Sequence, residues 1–244
     1  MKRTETFLYK RALHVGRINA KREEEREKGS DAWYIYGNDY LDYERFFGLP
    51  EDYLYNFIQQ ARHRKSRPYG LDLLSGTEML ESLRLPGISV CLRDLRPRLK
   101  RIASAKIWQV IEIDAFSQRK QLWQKIRKSM AAQKHEAFDL IVQRGRFGLS
   151  KGISNPFHHF YHLRHMWSLL AEGGQIITET TTLDRDILEK YHILEAWQRE
   201  GIHVQPVNYG LLFQKRHQTP KEISLNFQVD RQTTRLWYDL SLDR

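Results

Sequence analysis

Three aspartates in this 244-residue chain, Asp72, Asp94 and Asp114, stand at or near the close of short apolar runs. The runs read Tyr69-Gly-Leu-Asp-Leu-Leu, Ser89-Val-Cys-Leu-Arg-Asp and Gln109-Val-Ile-Glu-Ile-Asp. A carboxylate about twenty residues beyond a first strand can accept hydrogen bonds from a ribose hydroxyl pair. Asp94 follows Asp72 by 22 residues and has that spacing. The competing reading is a solvated acid paired with Arg93 or Arg96. A second set is His158, His162 and His165, at i, i+4 and i+7 on one helical face. Two such histidines can bind zinc when a carboxylate is near. Phe160, Leu163, Trp167 and Leu170 mark a different, apolar face, so the histidines are expected to look outward as a solvated or substrate-facing stripe. No metal is expected. Arg144 and Arg146 suit an acidic substrate or a phosphate, or are simply loop arginines. Asn155-Pro156 reads as a helix cap with proline in the first turn.

These residues need a frame, and the apolar runs supply it. A fourth run, Phe138-Asp-Leu-Ile-Val-Gln143, joins the three above, with helix-like segments between them. That alternation is the pattern of βαβ units in a parallel sheet. Ligands of such sheets bind outside the carboxyl ends of the strands. The pattern predicts strands over 69–74, 88–93, 107–113, 138–143 and 174–179. Helices are expected over 76–84, 96–104, 116–132, 156–171 and, as one continuous element, 184–200. Ile202–Val207 and Tyr209–Lys215 read as a hairpin joined through the single Asn208. Two further short strands are expected near 223–229 and 236–240. Residues 1–65 read as a helical extension packed on the core, rich in aromatics from Trp33 onward, and 66–244 as the α/β domain.

The order of these loops resembles the class I S-adenosylmethionine-dependent methyltransferases. The residues that carry the resemblance are Leu71-Asp-Leu-Leu-Ser-Gly-Thr77, the acid Asp94, Asp114-Ala-Phe116, Phe138-Asp-Leu-Ile-Val142 and Leu169-Leu-Ala-Glu-Gly-Gly-Gln-Ile-Ile177. They span roughly residues 66 to 216. The resemblance implies a Rossmann-like, doubly wound sheet, mostly parallel and finished by an antiparallel hairpin. It further implies S-adenosylmethionine as cofactor, with a methyl acceptor the residues do not identify. Asp72, Ser75, Gly76 and Thr77 would form the cofactor loop, whose small residues let backbone N–H groups approach the ligand. Asp94 would hold the ribose, and Asp114, Ala115 and Phe116 the adenine. Asp114 also reads as a helix N-cap. Gln143 would face the methyl group. Leu74 and Glu78 stand where the family has its flanking glycines. That departure leaves a second reading open, a methyltransferase-like binding protein without transfer. The segment after Gln143 carries no Asn-Pro-Pro-Tyr type of motif, and no catalytic residue is assigned.

Composition bounds the rest. Forty basic residues against thirty acidic ones give a formal charge of +10. Such a charge favours polyanionic partners, nucleic acid among them, and the basic residues cluster at Arg62–Arg67, Arg93–Arg101 and Arg119–Lys128. The competing reading is a set of solvated helix faces. The single cysteine, Cys91, excludes an internal disulfide and a cysteine-based metal site, and fits a reducing compartment such as the cytoplasm. No apolar run reaches the length of a membrane span, and the first ten residues lack the hydrophobic stretch of a secretory signal. The three-glycine dinucleotide fingerprint and the Gly-Lys-Ser/Thr phosphate loop are both absent from the sequence, which disfavours a nicotinamide dehydrogenase and a P-loop nucleotidase.

Overall fold

The computed structural model describes residues 39–65, 67–73, 78–91, 108–113, 118–144, 157–180 and 182–224. Two helices come first, α1 (Tyr40–Phe47) and α2 (Tyr53–Arg64). The alternation follows as β1 (Gly70–Leu73), α3 (Glu78–Ser82), β2 (Gly87–Cys91), β3 (Trp108–Glu112), α4 (Arg119–Ala132), β4 (Phe138–Gln143), α5 (Phe157–Leu169) and β5 (Leu170–Glu179). It closes with α6 (Thr182–Lys190), α7 (Ile193–Arg199), β6 (His203–Val207) and β7 (Gly210–Gln214). The expected helix over 96–104 and the two tail strands fall outside the described residues.

The seven strands form one sheet in the order β3-β2-β1-β4-β5-β7-β6. Neighbours from β3 through β5 pair parallel, and β7 runs antiparallel to both β5 and β6. This is the doubly wound, mostly parallel sheet with a terminal antiparallel pair that the loop order implied. Because side chains alternate along a strand, each strand feeds both faces. Leu140, Val142, Ile177 and Leu212 pack with α1, α2 and α3 through Phe47, Leu54, Ile58, Met79 and Leu80. Leu71, Ile88, Val90, Ile141, Ile176 and Phe213 pack on the other face with α4, α5, α6 and α7 through Trp123, Phe160, Trp167, Leu188 and Trp197. Burial on both faces explains why β1 and β4 are buried at every position. At Gly87 a Cβ would run into the carbonyl oxygen of Gly70, so this close approach of β2 to β1 requires glycine.

Three expectations are corrected. The helix over 184–200 is broken at Tyr191–His192, where His192 adopts a left-handed conformation (φ 49°). Leu188, Ile193 and Trp197 all enter the same core. On one straight helix, at about 100° per residue, Ile193 and Trp197 would point about 140° and 180° away from Leu188. The break turns both onto the sheet. The hairpin turn holds two residues, Asn208 and Tyr209, because Val207 pairs with Gly210. Third, β5 starts at Leu170 rather than near 174, with an irregularity opposite Phe138–Leu140 that absorbs Gly173 (φ 75°).

Tyr69, leading into β1, lies flat between the rings of His135 (centroids 3.9 Å) and Phe138 (5.4 Å). It is buried, its hydroxyl oxygen has no hydrogen-bond partner among the described residues, and burial pushes its pKa up to about 12. A buried hydroxyl without a partner retains its desolvation cost, roughly 1 kcal/mol or more. Tyr69→Phe should therefore raise the melting temperature by a few degrees in a calorimetric scan. A lower melting temperature would show that the hydroxyl stabilises the fold.

Candidate functional site

The strand order reverses between β1 and β4, since β1 leads on to β2 and β3 while β4 leads on to β5. A crevice opens outside the carboxyl ends of strands that flank such a reversal, and ligands of open α/β sheets bind there. Asp72 lies on β1 and Gln143 ends β4, with Asp72 aligned to Val142 and Leu73 to Gln143. Two of the nine expected cofactor residues thus lie on the strands flanking the reversal. Register sets them on opposite faces of the sheet. Ser75, Gly76, Thr77, Asp94, Asp114, Ala115 and Phe116 fall outside the described residues.

Asp72 is fully buried on the face covered by α1, and the Tyr43 hydroxyl donates to its Oδ1 (3.3 Å). Tyr43 is there because α1 presents Tyr40, Tyr43, Glu44 and Phe47, at helical spacing, as its buried side. The helix is bounded by a capping box, in which Asp39 accepts from the Asp42 backbone, and by Gly48 in the left-handed conformation. On the opposite face Gln143 is also buried, and its Oε1 accepts from Thr178 Oγ1 on β5 (2.5 Å). That bond fixes the orientation of the amide at the end of β4. Arg144, the next residue, returns to the α1 face. Its guanidinium lies over the rings of Tyr43 (5.0 Å) and Phe46 (4.6 Å). A half-buried cation held on aromatic faces is retained at a cleft without full hydration.

The hairpin completes this edge. Phe46 stacks on Tyr209 (centroids 4.8 Å), the one exposed large hydrophobic side chain among the described residues. Asn208 N–H donates to Phe47 O (3.1 Å), and Thr180 N–H donates to Tyr209 O (2.9 Å). Arg185 donates to Thr180 Oγ1 (3.3 Å) and Asn208 O (2.5 Å). The end of α1, the end of β5 and the β6–β7 turn are therefore joined by hydrogen bonds. Within the described residues the edge offers a buried carboxylate under a phenol, an oriented amide and a guanidinium on aromatics. Tyr43 and Thr178, which hold Asp72 and Gln143, were not singled out from the sequence. A tyrosine in an aromatic-rich helix and a threonine in a strand give no local sign of a partner elsewhere in the fold.

The histidine stripe is placed differently from expectation. His162 is buried, not outward: its Nδ1 accepts from the Trp123 indole N–H (3.1 Å) of α4. A buried indole N–H needs an acceptor, and α5 supplies one by turning His162 inward. The bond also leaves Nδ1 unprotonated. His165 stacks on Trp123 (5.0 Å) and meets Tyr161 edge-on (4.7 Å). The side chain of His158 and all of Arg146 and Asn155 lie outside the described residues. Among the described residues, no group of three or more His, Cys, Asp or Glu side chains is placed to hold a metal, and no helix is long and apolar enough to cross a membrane.

By strand order and direction the chain has a Rossmann-like, doubly wound fold with a terminal antiparallel pair. Methyltransferases are among the solved structures similar to it. One is MycE, from the mycinamycin biosynthetic pathway, in complex with magnesium and S-adenosylhomocysteine. It is 11% identical, with a TM-score of 0.45, over 84% of this chain and 59% of MycE. A second is an rRNA methylase from Streptococcus thermophilus, 11% identical with a TM-score of 0.41, over 67% of this chain and 95% of that one. A third is an amino pentose methyltransferase of calicheamicin biosynthesis from Micromonospora echinaspora, bound to S-adenosylmethionine. It is 16% identical, with a TM-score of 0.36, over 65% of this chain and 55% of that one. The chain thus spans little more than half the length of the first and third. No family model matches the sequence, and no curated protein matches it.

Proposed function

We propose that the protein binds S-adenosylmethionine at the carboxyl edge of the sheet and transfers its methyl group to an acceptor. The observation that carries this reading is the reversal of strand order between β1 and β4, with Asp72 and Gln143 on the two flanking strands. The described residues fit the group in donor chemistry. A carboxylate buried beside the first loop can anchor backbone N–H groups there, and the amide of Gln143 borders the crevice from β4. When bound, the cofactor supplies an electrophilic methyl group. The chain's own part is to hold and orient. Ser75, Gly76 and Thr77 would let the backbone approach the ligand, and Asp94 would accept from the ribose hydroxyls. Asp114, Ala115 and Phe116 would receive the adenine. Positioning in line and exclusion of water supply much of the catalysis in such a transfer.

One sequence feature favours the alternative of binding without transfer: Leu74 and Glu78 replace the glycines that flank Gly76 in the resembled family. Isothermal titration with S-adenosylmethionine and S-adenosylhomocysteine separates the readings. Micromolar binding is expected, weakened about tenfold or more in Asp94→Ala through the loss of a charge-assisted hydrogen bond. An unaltered thermal melt must accompany it. Unchanged affinity in Asp94→Ala would remove the ribose assignment. Absence of binding by the folded wild type would overturn the methyltransferase reading.

A further inference from the structure

We infer that the opposite edge of the sheet, at the amino ends of the strands, is a docking surface for the phosphate backbone of nucleic acid. Arginines and lysines from elements far apart in sequence meet along this edge. Arg62 and Arg64 end α2, Arg67 precedes β1, Arg84 precedes β2, Lys134 precedes β4, and Arg216 follows β7. Hydrogen bonds tie several of these elements together. Arg62 donates to the carbonyls of Leu83 (3.1 Å) and Arg84 (2.9 Å), Arg64 donates to Gly173 O (3.3 Å), and Gly173 N–H donates to Lys215 O (2.6 Å). These bonds hold guanidinium groups in place through carbonyl oxygens, which leave the positive charge uncompensated.

Two carboxylates nearby are already engaged. Asp139 accepts from Lys65 (3.2 Å) and from the Tyr69 backbone (2.9 Å), and Glu172 lies 2.7 Å from His217. Glu136 is the exposed acid beside Lys134. Arg67, Arg84 and Lys134 are exposed and form no ion pair among the described residues. Lys65 and Arg67 both act on His135 to hold its pKa below the usual histidine value, after burial as the main cause. Lys65 and Arg67 thus both lie near His135, with Asp139 acting in the opposite direction.

Shape and chemistry select the partner. From β2 to β7 the edge crosses four strand spacings, about 19 Å. That matches about five or six phosphates along one strand of a duplex. Guanidinium groups bind phosphate in a bidentate manner. Tyr209, the exposed large hydrophobic side chain, lies at the other edge, so the described part of the basic edge has no apolar anchor for a bilayer. The inference is independent of cofactor binding, which concerns the carboxyl edge.

The test is fluorescence anisotropy with a labelled 20-base-pair DNA duplex of random sequence, from 50 to 300 mM KCl. The wild type should bind with an affinity that falls steeply with salt. Arg67→Gln/Arg84→Gln/Lys134→Gln should bind about tenfold more weakly at 100 mM KCl, with a log–log salt slope shallower by about 3. A second triple variant, Lys120→Gln/Lys125→Gln/Lys128→Gln, removes as much charge from the exposed side of α4 and should retain most of the affinity. S-adenosylmethionine titration should be the same in both variants. If the first triple variant does not fold, the single Arg67→Gln and Lys134→Gln variants replace it, each expected to bind two- to threefold more weakly. Equal losses in the two triple variants, no binding at 50 mM KCl, or equally tight binding to phosphatidylserine-containing vesicles would each overturn the inference.

Discussion

Glu44→Ala should lower the unfolding free energy by about 3 kcal/mol, although Glu44 lies in none of the proposed ligand sites. Its buried carboxylate accepts from two backbone groups at the start of α2: Oε2 from Asp52 N–H (2.9 Å) and Oε1 from Leu54 N–H (2.8 Å). The residue that should cap α2, Asp52, cannot do so. It has a left-handed backbone (φ 62°) and no side-chain bond to the helix. Glu44 therefore caps α2 from α1. Removing it leaves two partly or fully buried N–H donors without acceptors, and each loss of a bond to a charged group costs about 1.5–3 kcal/mol. For a chain of this size, a 3 kcal/mol loss corresponds to a fall of roughly 6–12 °C in melting temperature. Glu44→Gln keeps one acceptor oxygen and should fall between the two. A Glu44→Ala variant that melts with the wild type would mean that another group caps α2.

The second large effect is a loss of stability in mild acid, set by His165. Burial against Trp123 and Tyr161, together with the charges of Arg127 and Arg164, pushes its pKa down to about 4. In the unfolded chain the group titrates near its ordinary value of 6.5. Above pH 6.5 both states are neutral there, and the full stability is present. As the pH falls from about 6.5 to about 4, the unfolded chain takes up a proton that the folded protein refuses, and stability drops. Below about 4 the loss levels off. At about 1.4 kcal/mol per pKa unit, the loss is roughly 2 to 3 kcal/mol by pH 4.5 and about 3.5 kcal/mol in full. His135 and His203 are shifted in the same direction, mainly by burial, and act with it. His165→Phe keeps the ring stacked on Trp123 and removes the titration. Urea unfolding at pH 7 and pH 4.5 should show a smaller difference between the two pH values in that variant. Parallel losses in variant and wild type would assign the acid sensitivity to other groups.

Much of the fold was legible because its signal is local and repeated. Runs such as Phe138-Asp-Leu-Ile-Val are buried on both faces, so they appear in the sequence as continuous apolar stretches between turns. The hairpin was legible for the same reason, although its turn was read one residue short. The helical break at His192 was not, because it exists to bring Leu188 and Trp197 to the same core, and the core is a property of the assembled sheet. The histidine stripe misled for a related reason. Periodicity describes a helix face but not its neighbour, and the Trp123 indole draws His162 inward.

The candidate site divides along the same line. Asp72 was legible as an acid in the first strand, and Gln143 as the last residue of the fourth. That these two strands are neighbours, with the order of the sheet reversing between them, is decided by the packing of distant segments. So are the bond from Tyr43 to Asp72, the bond from Thr178 to Gln143 and the seat of Arg144 on α1. The gathering of Arg67, Arg84, Lys134 and Arg216 on one edge has the same origin, since parallel strands bring their leading turns to the same end and antiparallel β7 brings its trailing residues there. The sequence by itself determined the alternation of strands and helices and the basic charge, because each depends on residue type and short spacing. The tertiary structure alone decided which of these residues meet, because contacts between strands separated by dozens of residues are settled when the sheet closes its two cores.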